Sequence, residues 1–288
     1  MDQVRQIALL LSAVLLALLP SSGRAGPPAP ERLQNSETLF AQSAAEALSR
    51  EFSSRDVSFL LLDARTGRVI ASRWDDPETP IPLGSLVKPF TALAYGEQHE
   101  FKYPPHTCRG TATGCWRPGG HGAMDLTSAI AYSCNSYFRM LASDLTAADV
   151  SPTAMRFGLE PPDRDATGAA LAGLGARWRV SPVRMARAYL ELVRRRDQPG
   201  AREIIAGMAQ SARQGTGAEV DRSLPFPDAL VKTGTAPCTH SPRAPGDGFV
   251  VALVPGDDPQ ILLMVRVHGV PGARAAKTAG QILRRIEE

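Results

Sequence analysis

The stretch from Pro82 to Phe90 reads Pro-Leu-Gly-Ser-Leu-Val-Lys-Pro-Phe and places a serine three positions before a lysine. Side chains three positions apart share one face of a helix, so a helix here brings the Ser85 hydroxyl beside the Lys88 amine. A serine attacks poorly by itself, but a neutral lysine beside it can accept its proton. On a surface helix the same pattern would be a solvated serine and a solvated lysine, so the rest of the chain has to decide.

The size and charge of the chain limit the classes of function. Its 288 residues suffice for one large domain or two modest ones, and its formal net charge is +3. A charge this small does not indicate a nucleic-acid partner. We therefore expect a globular domain that binds no nucleic acid.

The first residues indicate export. Residues 1–25 resemble a signal peptide, with Arg5 before an apolar run from Ile7 to Leu19 and small residues after it. The run is shorter than the roughly 20 residues that span a bilayer, although an uncleaved anchor stays open as the only membrane attachment. Residues 26–35 read as a Pro/Ala-rich linker and residues 36–288 as the catalytic domain. The expected location is the periplasm or the extracytoplasmic face of a bacterial inner membrane.

Four cysteines in an exported chain allow disulfides. Cys108 and Cys115 bracket a Gly/Thr-rich loop and are the favoured pair, while Cys134 and Cys238 stay unassigned. A zinc cluster is the disfavoured alternative, because its spacing matches no common zinc pattern. Its four ligands would be His106, Cys108, Cys115 and His121.

Apolar periodicity predicts sheet-forming segments at both ends of the chain and helices between them. Strands are predicted at Val57 to Leu62, Val69 to Ser72, Leu230 to Thr235, Phe249 to Val254 and Ile261 to Val267. Helices are predicted at Ser36 to Phe52, Met124 to Met140, Pro152 to Phe157, Pro182 to Val193 and Ala273 to Ile286. The predicted fold class is α+β, with one antiparallel sheet built from both chain ends, flanked by terminal helices, and an inserted helical subdomain.

Two further motifs follow Ser85 and Lys88 along the chain. Ser133 and Asn135 are separated by one residue, and Lys232-Thr233-Gly234-Thr235 lies on a predicted strand. Each motif has an ordinary structural explanation, since Ser133 and Asn135 suit a loop and Lys232 suits an edge strand. In the order Ser-x-x-Lys, Ser-x-Asn, Lys-Thr-Gly, however, the three motifs are those of penicillin-binding proteins and serine β-lactamases.

On these motifs the chain resembles the transpeptidase domain of the penicillin-binding proteins, and the resemblance covers nearly all of the predicted mature chain. Further segments take part in it: His121 to Leu126 before the second motif, Val180 to Ala186, Gly215-Thr216-Gly217, and the Gly248 to Val250 strand after the third motif.

The resemblance implies a role for each motif residue. Ser85 would be the nucleophile, Lys88 its base, and Ser133 a proton relay to the leaving nitrogen. Asn135 would bind the substrate's side amide, Lys232 and Thr233 its terminal carboxylate, and Gly234 would let the substrate lie along the strand. The backbone N–H groups of Ser85 and Thr235 would form the oxyanion hole. No metal or organic cofactor is implied.

The implied ligands are D-Ala-D-Ala stem peptides of peptidoglycan and β-lactam antibiotics, with a cell-wall protein as a further partner. A serine-type D,D-transpeptidase is favoured, because Asn135 stands where class D β-lactamases usually carry valine, and Glu191 lacks the sequence context of a class A deacylating glutamate. The motifs are closely spaced, as in the compact β-lactamases. A class D-like β-lactamase, a D,D-carboxypeptidase and a penicillin sensor without turnover therefore stay open.

Overall fold

The computed structural model describes residues 45–238 and 246–287. All of them belong to one unit, Ala41–Glu288. The predicted signal peptide and linker, and the first part of the predicted helix from Ser36, lie outside the described residues. Within the described ranges, no helix is long and apolar enough to cross a membrane.

A five-stranded antiparallel sheet is assembled from both ends of the chain, as predicted. The strand order is β2-β1-β9-β8-β7, and every pairing is antiparallel. The five strands are β1 (Val57–Asp63), β2 (Val69–Arg73), β7 (Leu230–Ala236), β8 (Asp247–Val254) and β9 (Ile261–Val267). Four short strands form two two-stranded ladders outside this sheet: β3 (Ile81–Pro82) with β6 (Arg179–Val180), and β4 (His106–Cys108) with β5 (Gly122–Met124).

The helices supply the layers on either side of the sheet. The described chain opens with helical residues 45–51 (α1). The later helices are α2 (Lys88–Gln98), α3 (Leu126–Ala131), α4 (Asn135–Ser143), α5 (Ala147–Arg156), α6 (Pro182–Arg194), α7 (Ala201–Gln214), α8 (Ala218–Asp221) and α9 (Gly272–Glu287). Short 3-10 helices cover Gly84–Val87, Gly110–Thr113 and Gly168–Ala170.

Both faces of the sheet are buried, which explains why its strands are apolar almost throughout. Alternate residues of β1 belong to two different cores, with Leu60 and Leu62 in one and Phe59 and Leu61 in the other. The first core is shared with the helical block from α2 to α7. The second is covered by α8, α9 and Leu48 of α1. The predicted α+β fold with an inserted helical subdomain is confirmed.

Two predicted helices differ from the structure for local reasons. The single helix expected from Met124 to Met140 is two helices, because Ser133 has a left-handed φ of 50° that ends α3 and precedes α4. The helix expected from Pro152 begins earlier, at Ala147. Thr146 caps it there, and its side-chain oxygen accepts a hydrogen bond from Asp149 N (3.3 Å).

Candidate active site

Ser85 and Lys88 lie where the 3-10 helix Gly84–Val87 runs into α2, so the predicted helical spacing holds. Ser85 is 8% exposed and Lys88 is completely buried. Two hydrogen bonds from the helical block hold this segment: Tyr189 Oη donates to Leu86 O (2.9 Å) and Thr91 Oγ1 to Leu171 O (2.5 Å). The nucleophile candidate is therefore fixed on a rigid element at the junction of the sheet and the helices.

The serine segment lies directly against strand β7. A Cβ on Gly84 would lie 2.1 Å from Thr235 O, and Gly84 has a left-handed φ of 59°. A Cβ on Gly234 would lie 2.5 Å from Leu83 O. A side chain at either position would collide with the facing backbone, so only glycine allows the two segments to approach this closely. The two glycines thus place the first and third motifs side by side.

The second motif meets Lys88 from the opposite side. Lys88 Nζ donates to Asn135 Oδ1 (2.6 Å) and to Ser133 O (2.9 Å), and it lies 3.5 Å from Ser133 Oγ. The left-handed backbone of Ser133 turns its carbonyl and its hydroxyl toward the same amine. A non-glycine residue in this conformation costs on the order of 1 kcal/mol, and such strain is typical of functional sites.

The third motif completes the arrangement. Lys232 Nζ donates to Ser133 Oγ (2.9 Å) and to Thr233 O (2.7 Å). Ser133 Oγ thus lies within hydrogen-bonding range of both lysines, and its own proton remains available for a third group. Within the described residues the Ser85 hydroxyl makes no hydrogen bond, and catalytic bonds are often long before a substrate is bound.

Burial lowers the pKa values of both lysines because it disfavours the charged form. The pKa of Lys88 falls to about 7. The pKa of Lys232 falls well below its usual 10.5, through burial first and the charge of Lys88 second. Near neutral pH, Lys88 can therefore exist as the neutral amine that accepts a proton.

The motif residues open onto a cavity of about 440 Å³. Ser85, Ser133, Asn135 and the run Thr233–Thr235 line it, while the two lysines are not among its lining residues. A substrate in this cavity would meet hydroxyl and amide groups, with the amines buried out of solvent.

Five residues that line the cavity were not predicted as site residues: Trp116, Leu174, Thr216, Pro271 and Ala273. Thr216 Oγ1 lies 2.7 Å from Thr233 Oγ1, and Thr216 N donates to Ala131 O (3.1 Å). The sequence signal of Thr216 is a hydroxyl residue between two glycines, in a segment that takes part in the family resemblance but predicts no role for the hydroxyl. Trp116 also lines the cavity, and nothing in its local sequence indicates this.

Three cysteines and a histidine converge next to the second motif. The side-chain donor atoms of Cys108, Cys115, His121 and Cys134 all lie within 4.8 Å of one another. Cys115 Sγ and Cys134 Sγ are 3.9 Å apart, and His121 Nδ1 is 3.6 Å from Cys108 Sγ and 3.5 Å from Cys115 Sγ. Tetrahedral zinc bonds of about 2.3 Å to sulfur and 2.0 Å to nitrogen imply edges of about 3.8 and 3.6 Å. These four residues can hold a zinc ion.

The cysteine predictions change accordingly. All four cysteines are free in the structure, so it contains no Cys108–Cys115 disulfide. The zinc alternative named His106, but His106 Nε2 instead lies 2.6 Å from Ser136 Oγ. Cys134 takes its place in the cluster, because the turn at Ser133 brings Cys134 back toward the loop before β5.

Fold and site together are a mixed α+β scaffold whose three motif segments line one cavity. Residues 57–288 match the family model "Penicillin binding protein transpeptidase domain". The chain therefore belongs to the penicillin-binding protein transpeptidase domain family. No curated protein matches it.

Solved structures of the same fold include three that are informative. Pseudomonas aeruginosa PBP2 in complex with WCK 5153 has a TM-score of 0.70 at 19% identity, over 85% of this chain and 73% of that chain. Helicobacter pylori PBP2 in complex with MreC has a TM-score of 0.71 at 14% identity, over 86% of this chain and 62% of that chain. The transpeptidase domain of Burkholderia pseudomallei penicillin-binding protein 3 has a TM-score of 0.66 at 18% identity, over 88% of this chain and 93% of that chain.

Proposed function

We propose that this protein is a serine-type D,D-transpeptidase that acts on D-Ala-D-Ala stem peptides and is acylated by β-lactams. The observation that carries the proposal is the convergence of Lys88 and Lys232 on Ser133 Oγ, behind the cavity that holds Ser85. A nucleophile, a base of lowered pKa and a relay hydroxyl are the groups that acyl transfer requires.

In the acylation step, Ser85 Oγ attacks the carbonyl carbon of the scissile amide while neutral Lys88 accepts the hydroxyl proton. The C–N bond then breaks, the ester to Ser85 forms, and the proton passes through Ser133 to the leaving nitrogen. With a β-lactam the leaving nitrogen stays attached to the acyl group. The N–H groups of Ser85 and Thr235 would stabilise the oxyanion, at about 3 kcal/mol per donor.

The substrate's terminal carboxylate would bind beside Lys232, Thr233 and Thr216. Lys232 is buried, and its hydrogen-bond partners among the described residues are the neutral Ser133 Oγ and Thr233 O. The carboxylate would therefore supply the opposite charge that favours the protonated amine. Asn135 would donate from its amide nitrogen to the peptide of the acyl side, since its oxygen already accepts from Lys88.

In the second step an amine or water attacks the ester, and Ser85 regains its proton. Transfer to an amine gives cross-linking. The class A β-lactamase route finds no support, because Glu191 forms an ion pair with Arg195 (2.7 Å) and does not line the cavity. We further propose that the protein works outside the cytoplasm and with a cell-wall partner; the Helicobacter pylori PBP2 structure is a complex with MreC.

A fluorescent penicillin tests the nucleophile. We expect covalent labelling of the folded wild-type protein and of Ser143→Ala, a variant of an exposed serine, and none of Ser85→Ala. Equal labelling of Ser85→Ala would overturn the assignment.

The products then decide the fate of the acyl group. Release of D-alanine from a pentapeptide with formation of a cross-linked dimer is the expected result. Rapid loss of the adduct, with hydrolysed β-lactam appearing, would indicate a β-lactamase. Release of D-alanine without a cross-linked dimer would indicate a carboxypeptidase. A long-lived adduct without D-alanine release would indicate a sensor.

A further inference from the structure

A second group of metal-ligand side chains lies where three neighbouring strands of the large sheet end. Cys238 lies two residues beyond the end of β7, Asp247 opens β8, and His268 directly follows β9. The β7–β8 ladder closes with the pair Ala236 and Asp247, and the β8–β9 ladder closes at the residues next to Asp247 and His268. Strand pairing therefore fixes the backbones that carry these side chains.

The three side chains also meet in space. One donor atom from each of Cys238, Asp247 and His268 lies within 4.8 Å of the other two. His268 Nδ1 lies 2.9 Å from Asp247 Oδ1, and the side chains of these two residues are only 18% and 3% exposed. Cys238 is half-buried. The donors thus form a mostly buried set that solvent can still reach.

The types of donor atom indicate which metal would fit. A thiolate sulfur, an imidazole nitrogen and a carboxylate oxygen are the three ligand types that zinc takes from proteins, whereas magnesium and calcium select oxygen alone. In a tetrahedral zinc site such atoms lie about 3.4 to 3.6 Å apart. The separations in this group span that range, so small side-chain movements would bring all three donors onto one ion.

The charges around the group also favour a divalent cation. The guanidinium of Arg266 is held by Ser58 Oγ (2.8 Å) and by the face of Trp74 (4.8 Å), and it interacts electrostatically with the carboxylates of Asp247 and Asp75. One cation beside two carboxylates leaves one negative charge in excess. A zinc ion that displaces a thiol proton into solvent adds one net positive charge and would neutralise the group.

We propose that Cys238, Asp247 and His268 form a zinc site, in which each residue supplies one ligand and a water molecule completes the tetrahedron. The ion would join the ends of β7, β8 and β9, and β7 carries the third motif, whose Thr235 lies three residues before Cys238. This site shares no residue with the reaction centre or with the other cluster of cysteines, so it does not depend on the proposed acyl transfer.

Equilibrium dialysis of the purified protein against buffered Zn²⁺, followed by elemental analysis, measures the zinc bound per chain. Cys238→Ala and His268→Ala should each bind one zinc ion fewer than wild type. Asp247→Asn, which keeps the shape of the side chain and removes its charge, should weaken binding at this site at least about tenfold. His99→Ala alters a half-buried histidine outside both groups and should bind as much zinc as wild type.

Equal zinc in wild type and Cys238→Ala would overturn the proposal, whatever the other cluster binds, because only the difference between the two proteins reports on this site. A variant that has lost its fold would show a lowered melting temperature and would lose zinc from both groups.

Alkylation of the wild-type protein gives a second readout that needs no substitution. A thiolate bound to zinc is shielded from alkylating agents, so Zn²⁺ should slow the reaction of Cys238 with iodoacetamide at least about tenfold, and Mg²⁺ should not. Mass spectrometry of the peptide that contains Cys238 separates this thiol from the other three. An alkylation rate of Cys238 that is the same with and without Zn²⁺ would contradict the proposal.

Discussion

At the scale of single residues, two buried amines lie around one hydroxyl, since Lys88 Nζ is 3.5 Å and Lys232 Nζ 2.9 Å from Ser133 Oγ. Two ammonium groups this close would repel each other, and burial disfavours each charge further. Without a bound carboxylate, the pair of lysines therefore favours a state with at most one positive charge. That state provides the base before substrate arrives.

The lowered pKa of Lys88, about 7, predicts the pH dependence of acylation. Below this pKa the amine is protonated and cannot accept the Ser85 proton, so the rate should fall about tenfold per pH unit as the pH drops. Above it the rate should level off. The measurement is the second-order rate of penicillin acylation between pH 5.5 and 8.5.

Melting temperatures over the same pH range serve as the control for this profile, because loss of fold would also lower the rate. A profile that is flat from pH 5.5 to 8.5 in a folded protein would contradict the base role of Lys88.

At the scale of elements, the segment between β4 and β5 carries two of the four cluster residues, Cys115 and His121, while Cys108 ends β4 and the turn before α4 supplies Cys134. The segment has little regular structure, so a bound metal would order it efficiently. The segment also carries Trp116, and Cys134 of the same cluster directly follows Ser133 in the chain.

We expect one Zn²⁺ per chain at this cluster, because the distances between its donor atoms match a tetrahedral site. Removal of the metal with a chelator should lower the melting temperature by about 5 °C or more. Elemental analysis of the purified protein and thermal scans with and without chelator are the measurements.

A matched pair of histidine variants controls the metal prediction. His121→Ala should lose the metal, and His106→Ala should keep it, because His106 bonds to Ser136 and not to the cluster. A metal-free native protein in which mass spectrometry finds a disulfide between two of the three cysteines would instead support oxidation, including the Cys108–Cys115 pair that the sequence favoured.

At the scale of the whole molecule, the C-terminal helix α9 packs against the strand that carries the third motif. Strand β7 and the start of α9 meet at the third motif, where Gly272 N donates to Thr235 Oγ1 (2.9 Å). A Cβ on Gly272 would lie 2.3 Å from Gly234 O. The core beneath α9 thus supports the strand along which the substrate is proposed to lie.

Leu283 of α9 is completely buried in the core on this side of the sheet. Leu283→Ala should lower the free energy of unfolding by about 3 kcal/mol, through lost apolar contact and a residual cavity. Lys277→Ala, an exposed position on the same helix, should change it by less than about 0.5 kcal/mol. Urea unfolding measures both, and equal effects would show that α9 does not contribute to the core as described.

Much of the fold could be predicted because its signals are local. The strands at residues 57–63 and 261–267 are apolar runs of strand length, and Ser181-Pro182 marks a helix start with a cap and a proline. The break at Ser133 could not be predicted, since its left-handed backbone is stabilised by contacts with Lys88 and Lys232 that are distant in sequence.

By itself, the sequence determined the fold class and the three motifs, because hydrophobic periodicity and motif order are properties of the chain. Tertiary structure alone decided what surrounds them: the burial that lowers the lysine pKa values, the inclusion of Cys134 in place of His106 in the thiol cluster, and the presence of Trp116 and Thr216 in the cavity. These features depend on distances between segments far apart in the chain, and such distances exist only once the sheet has joined both chain ends around the helical block.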